Sequence, residues 1–240
     1  MVRKISGIVF SCFMVAHADA VLFDWGFNIN GDVYTAMDMG DDHTALPDYF
    51  DFSGFDFDQG LGTISVAFDP DASGTYHAMA FLDHEIDEAQ NTFFNEYGSA
   101  YGVPADGLTW EIDEPGYAYG DIYDHLYGDA FDNSNAVEST PDDVSMGLGW
   151  SFSLGEQEYA TIEFTAGADA PEEGFYLAHY DDESSDAIFF SSRLSIEGGT
   201  TPVPEPCAAS LLFLSCGLLL GAGIINRGIG RRRGIAPKNV

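Results

Sequence analysis

The sequence predicts an all-β chain: an antiparallel β-sandwich of jelly-roll type with a short helical insertion, followed by one C-terminal transmembrane helix. Three observations predict it. Period-two alternation of large apolar with small or polar residues recurs through residues 21–199. Clusters of Asp, Gly, Pro and Ser separate those runs. A further run of 19 uncharged, largely apolar residues, Cys207–Ile225, stands apart near the end.

Taken in order, the expected strands are Val21–Phe27, Thr63–Phe68, Tyr76–Leu82, Leu108–Ile112, Leu148–Leu154, Tyr159–Thr165, Phe175–Tyr180 and Ala187–Ile196. The cleanest is Leu148-Gly-Trp150-Ser-Phe152-Ser-Leu154, with four large groups on one face and Gly or Ser on the other. Turn-formers lie at 69–74, 104–107, 169–174 and 181–185. The middle is less regular. Ile86, Ala89, Phe93 and Tyr97 fall at near-helical spacing, so a short amphipathic helix is expected within His84–Tyr97. Tyr117, Tyr119, Tyr123 and Tyr127, interleaved with Asp and Gly, mark a long connection across the sandwich with a helical turn near Asp121–Leu126.

Charge narrows the function. Residues 21–203 hold 38 of the 40 acidic residues and one of the eight basic ones, Arg193, which leaves a formal −37. Phosphate binding needs Lys and Arg, so nucleic acid is excluded as a partner. Salt bridges cannot organise such a domain, and its self-repulsion must be screened, as in a saline habitat, or neutralised by divalent cations. The aromatic content marks a folded segment rather than a disordered one. Cys12, Cys207 and Cys216 all lie outside 21–199, so neither disulfides nor thiolate chemistry operates in the domain.

The two ends read as addresses. Arg3 and Lys4, the apolar Ile5–Ala16 and then Ala18-Asp19-Ala20 form a secretory signal, residues 1–20, cut after Ala20 by signal peptidase. A lipoprotein signal built on Cys12 is excluded by the bulk of Phe10 and the short apolar stretch before it. At the other end, residues 200–206 form a linker ending in Val203-Pro204-Glu205-Pro206. The span 207–225 reaches about 28 Å at helical rise, enough to cross a bilayer core. In the basic tail, residues 226–240, Arg227, Arg231, Arg232 and Arg233 hold the C-terminus in the cytoplasm.

This composite of motif, span and arginines, with an export signal at the far end, resembles the PEP-CTERM protein-sorting signal of exported Gram-negative bacterial proteins. The resemblance covers residues 203–233. One departure is the seven residues Gly234–Val240, where such proteins usually stop sooner. The resemblance implies recognition by an exosortase, a membrane transpeptidase-like enzyme. Cleavage would fall near Pro-Glu-Pro, with release or transfer to the cell surface and an association with exopolysaccharide or biofilm. An ordinary uncut membrane anchor is the alternative.

Chemical motifs within the domain are incomplete. Glu85-Ile-Asp87-Glu88 and Glu111-Ile-Asp113-Glu114 echo each other and resemble the Glu-x-Asp-x-x-Glu of laminarinase-like glycoside hydrolases, but neither supplies the second glutamate. No catalytic residue is therefore assigned, and a polysaccharide hydrolase is only an alternative. Calcium is the one cofactor considered. Asp69 and Asp71 begin like an EF-hand loop but Ala80 replaces its closing Glu, and Asp83, Glu85 and Asp87 make a second acidic group. Solvated turn aspartates are the competing explanation. Zinc lacks a paired histidine, since His43, His77, His84, His125 and His179 are scattered. Tyrosines and Trp110 form either a sugar-stacking platform or part of a wide core. The expected function is an exported, non-catalytic surface or matrix protein, with a carbohydrate- or calcium-binding module as the alternative.

Overall fold

The computed structural model describes residues 20–199 apart from 41, 70–72, 87–92, 117–118, 139, 182 and 185. The signal segment before Ala20, the Pro-Glu-Pro motif, the apolar span and the basic tail lie outside the described residues. Among those described, no helix is long and apolar enough to cross a membrane.

The strands are β1 (Ala20–Ile29), β2 (Asp32–Thr35), β3 (Phe50–Asp56), β4 (Leu61–Phe68), β5 (Gly74–Ile86), β6 (Glu96–Tyr101), β7 (Leu108–Asp113), β8 (Ser134–Asn135), β9 (Ser145–Leu154), β10 (Glu158–Gly167), β11 (Tyr176–Asp181) and β12 (Ala187–Gly198). They form two six-stranded sheets, ordered β2-β1-β5-β9-β7-β8 and β3-β4-β10-β12-β11-β6. All pairings are antiparallel except the two-residue β7–β8 contact, which is parallel and corrects the purely antiparallel expectation. The inward residues of both sheets, among them Phe27, Leu82, Met146 and Leu148 from the first and Ile64, Val66, Ile162, Phe164 and Phe190 from the second, share one apolar core.

The sheets differ on their outer faces. In the second sheet, β10 alternates strictly, burying Ala160, Ile162, Phe164 and Ala166 while Glu163 is exposed, the signature of a sheet with one solvated face. In the first sheet, β5 is buried from Ala78 to Ile86 without a break. Its outward Met79 and Phe81 pack against Ile122, Leu126 and Phe131 in a second, smaller core. The described residues of 114–133 thus form a cover, carrying α2 (Ile122–Tyr127). Its close approach requires small residues on the sheet below. A Cβ on Gly26 would lie 2.6 Å from Leu126, and one on Gly147 would lie 2.5–2.8 Å from the Phe131 ring. Asn28 fastens the cover from β1, its Nδ2 donating to the Leu126 carbonyl at 2.6 Å and to Asp129 Oδ1 at 2.7 Å.

The helix expected within His84–Tyr97 is not formed in its described parts. His84–Ile86 complete β5, residues 93–95 make one 3-10 turn, and Glu96 and Tyr97 open β6. Pairing decided against the local spacing: Ile86 lies opposite Ala20, and Tyr97 opposite Tyr180. The helical turn expected at 121–126 is α2. A four-residue helix, α1 (Ala36–Met39), was not anticipated, although Thr35 caps it by accepting from the Asp38 N–H at 3.1 Å.

Candidate functional site

Two regions combine reactive or binding groups with positions that the fold dictates. The first is the open face of the second sheet. Register aligns Thr63, Thr165, Ser191, Tyr176 and Tyr101 in one row across five strands, and the Thr63 and Thr165 hydroxyls meet at 2.9 Å on that face. At the β11–β6 margin, Tyr101 stacks on Tyr176 with ring centroids 5.1 Å apart and planes 20° from parallel. Tyr97 stacks on Tyr180 at 5.7 Å and 13°, and Phe189 meets Tyr176 edge-on at 5.9 Å. Tyr101 is 47 % exposed.

A notch adjoins this ridge because β11 pairs with β12 only as far as Ser191, whereas β12 continues to Gly198. The vacated side of β12 opens a cavity of about 870 Å³. Glu163, Thr165, Ser191 and Arg193 line it, with Asp169 and Glu173 from the β10–β11 connection. A smaller hollow of about 260 Å³, floored by Leu108, Trp150 and Leu194, shares Phe175, Ser192 and Arg193 with the first. Arg193, the domain's one basic side chain, therefore stands where the two meet.

The second region is the acidic end of the first sheet. Asp24, Asp83, Ser145 and Asp113 lie in one row across β1, β5, β9 and β7. On β7, Glu111 is 1 % exposed and anchors the cover. Its carboxylate accepts from His125 Nδ1 at 2.8 Å and from the Asp132 N–H at 3.3 Å. Asp113 accepts from the N–H groups of Glu114 at 2.8 Å and Asp121 at 2.9 Å. Burial pushes the Glu111 carboxyl up to about 7, against the lowering effect of His125. Burial alone would lower the His125 pKa, but the Glu111 hydrogen bond and charge outweigh it and the net direction is upward. Donor atoms of Glu111, His125 and Asp132 lie within 4.8 Å of one another, as do those of Glu111, Asp113 and Asp121. Glu111, Asp113 and Asp132 already accept hydrogen bonds, and Glu111 and Asp113 clamp the cover.

Deeper in, Glu96 is fully buried and accepts from the Ile86 N–H at 3.1 Å. Its Oε2 sits 2.7 Å from His179 Nε2 without hydrogen-bond geometry. Burial raises Glu96 to about 8 and lowers His179 to about 3, so both are uncharged near neutrality.

The two acidic groups expected to bind calcium are not brought together. Asp69 and Asp83 flank opposite ends of β5, and the connection after Asp69 passes from one sheet to the other rather than closing a hairpin. Asp71 and Asp87 lie outside the described residues. Asp83 and Glu85 are buried together on the outward side of β5. Of the signal-cleavage residues, Ala18 is not described, while Ala20 opens β1 opposite Ile86. Neither Glu96 nor the clamp formed by His125 is legible from the sequence alone. The unbroken run Ala78-Met-Ala-Phe-Leu82 was the available signal that the first sheet is covered on both faces.

Fold and site define an acidic, two-sheet β protein with one covered and one open sheet face. Comparison of the chain with protein-family models, curated proteins and solved structures gave no match in any of the three.

Proposed function

We propose that this chain is an exported, non-catalytic protein of the cell surface or extracellular matrix. A signal peptidase trims it, an exosortase sorts it through Val203–Pro206, and the open face of its second sheet binds polysaccharide. The observation that carries the binding reading is the tyrosine ridge beside the Arg193 notch. Aromatic rings offer apolar area with polar tips, which suits the alternately apolar and hydroxylated surface of sugar rings. Hydroxyls, carboxylates and one guanidinium in the notch supply the directional partners such a ligand needs. The five passages of the chain from one sheet to the other, with few local hairpins, favour a jelly-roll-like sandwich.

The same geometry argues against hydrolysis. Glu85 and Glu111 project from β5 and β7, with β9 between them; the strands are about 10 Å apart, and register sets Glu111 level with Phe81, four residues short of Glu85, so the two lie roughly 16 Å apart. Both are buried, and Glu111 is held by His125. A glycosidase pair must instead converge on an open cleft.

A glycan array probed with residues 21–203, followed by affinity electrophoresis in the polysaccharides that bind, tests the reading. Tyr101→Ala and Tyr176→Ala are each expected to weaken retention, and Arg193→Gln to narrow the range of ligands. Absence of any glycan retention, or retention indifferent to all three changes, would remove the binding face.

A further inference from the structure

We propose, resting on the sugar-binding reading of the open face, that its ligand is a neutral, hydroxyl-rich glycan and that the notch rejects uronate, sulfated and amino-sugar polymers. The notch carries both signs of charge in one lining: Arg193 with Glu163, Asp169 and Glu173. Glu163 stands directly opposite Arg193 across β10 and β12, a position from which cross-strand side chains ordinarily meet. Among the described residues, however, Arg193 makes no ion pair, and the pairs that do form all involve histidine. Its side chain is exposed in the notch, so the donors of the guanidinium are left to a ligand.

That lining decides which ligand groups fit. A guanidinium only donates and an ionised carboxylate only accepts. A sugar carboxylate or sulfate would meet one donor group and three like charges, in a segment, residues 21–203, that already holds 38 acids. An ammonium would gain the three acids but face Arg193. A hydroxyl both donates and accepts, so neighbouring hydroxyls on one sugar can donate to an acid and accept from Arg193 together. Such charge-assisted hydrogen bonds are stronger than neutral ones. The row that crosses the open face has the same dual character, since Thr63, Thr165, Ser191, Tyr176 and Tyr101 all bear hydroxyls. At about 4.8 Å from strand to strand it runs about 19 Å, the length of several sugar units, and it ends on the Tyr101–Tyr176 stack. Net charge alone would favour a polycation; Arg193, placed among the acids, argues for the neutral ligand.

The test presents the detergent-solubilised full-length chain with neutral, uronate and amino glycans in about 0.15 M NaCl, where charges beyond about 8 Å are screened. A neutral polymer that binds is then compared with the same polymer after its primary hydroxyls are oxidised to carboxylates. Retention is expected for neutral glycans alone, and the oxidised polymer should bind at least about tenfold more weakly, because like charges set against each other are costly. Glu163→Gln, which keeps the shape of the notch and removes one like charge, should restore part of the oxidised polymer's binding. Asp32→Asn, an exposed acid on the edge strand of the other sheet, should restore none. Equal binding of oxidised and neutral polymer, a preference for amino glycans, or equal restoration by the two variants would overturn the neutral-glycan inference and leave the binding face standing. Retention of no glycan of any class would remove the binding face and this inference with it.

Discussion

Glu96 and His179 show what a single buried pair does to the pH response. The Glu96 carboxyl is held near 8, first by burial and then by Asp181, against the lowering effect of the Ile86 N–H. A group whose folded pKa is raised stabilises fully below its unfolded value, near 4.5, and that stability is lost as pH rises through about 8. His179 acts in the opposite sense: its pKa is lowered to about 3, so its stability is present above about 6.5 and is lost as pH falls. Between about pH 6.5 and 8 the histidine no longer opposes the carboxyl, and the protein is expected to lose stability with rising pH. Glu96→Gln, which copies the protonated acid, should flatten that slope in chemical-denaturation titrations. An unchanged slope would mean that Glu96 ionises freely in the folded state. None of this was legible in the sequence, because Glu96 and His179 are 83 positions apart and only the β6–β11 register brings them together.

At the scale of elements, alternation located most of the large strands, and tertiary pairing decided what it could not. β10 and β9 read directly because one face of each is visibly polar or small. β2, β3, β6 and β8 did not, since short edge strands such as Phe50–Asp56 carry Gly and Asp that also suit turns. The cover over the first sheet was visible only as a tyrosine-rich connection, and its destination depended on Gly26 and Gly147 leaving room for it. Gly147→Ala should therefore cost about 1–3 kcal/mol by overpacking against Phe131, read from the melting of the domain. If the alanine variant melts with the wild type, Phe131 is not seated as described. The clamp can be tested separately. Glu111→Ala strands His125 and frees the segment, so limited chymotryptic digestion should cut within 119–127 well before the sandwich itself is lost. Equal cutting rates in wild type and variant would show that the apolar contacts of Ile122 and Leu126 alone hold the cover.

At the scale of the whole molecule, the tests concern its charge and the proposed roles of its two ends. With 38 acids and one base in residues 21–203, repulsion is screened only by the solvent, so melting temperature is expected to rise steadily from low to molar NaCl. Indifference to salt would mean that bound cations already neutralise the acids. The proposed sorting role of the tail can be separated from that of a plain anchor. An uncut anchor depends on the 19 apolar residues and the arginines, and a lone glutamate ahead of the span contributes nothing to it. A sorting signal instead depends on the side chain of Glu205 between its two prolines. Under the sorting reading, Glu205→Ala leaves full-length precursor in the inner membrane, with Arg231–Arg233 cytoplasmic, while wild-type surface protein begins at Val21 and lacks Cys207–Ile225. Cell fractionation with mass spectrometry of both proteins separates the two. An intact span in wild-type surface material, or a Glu205→Ala distribution identical to wild type, would reduce the tail to an anchor.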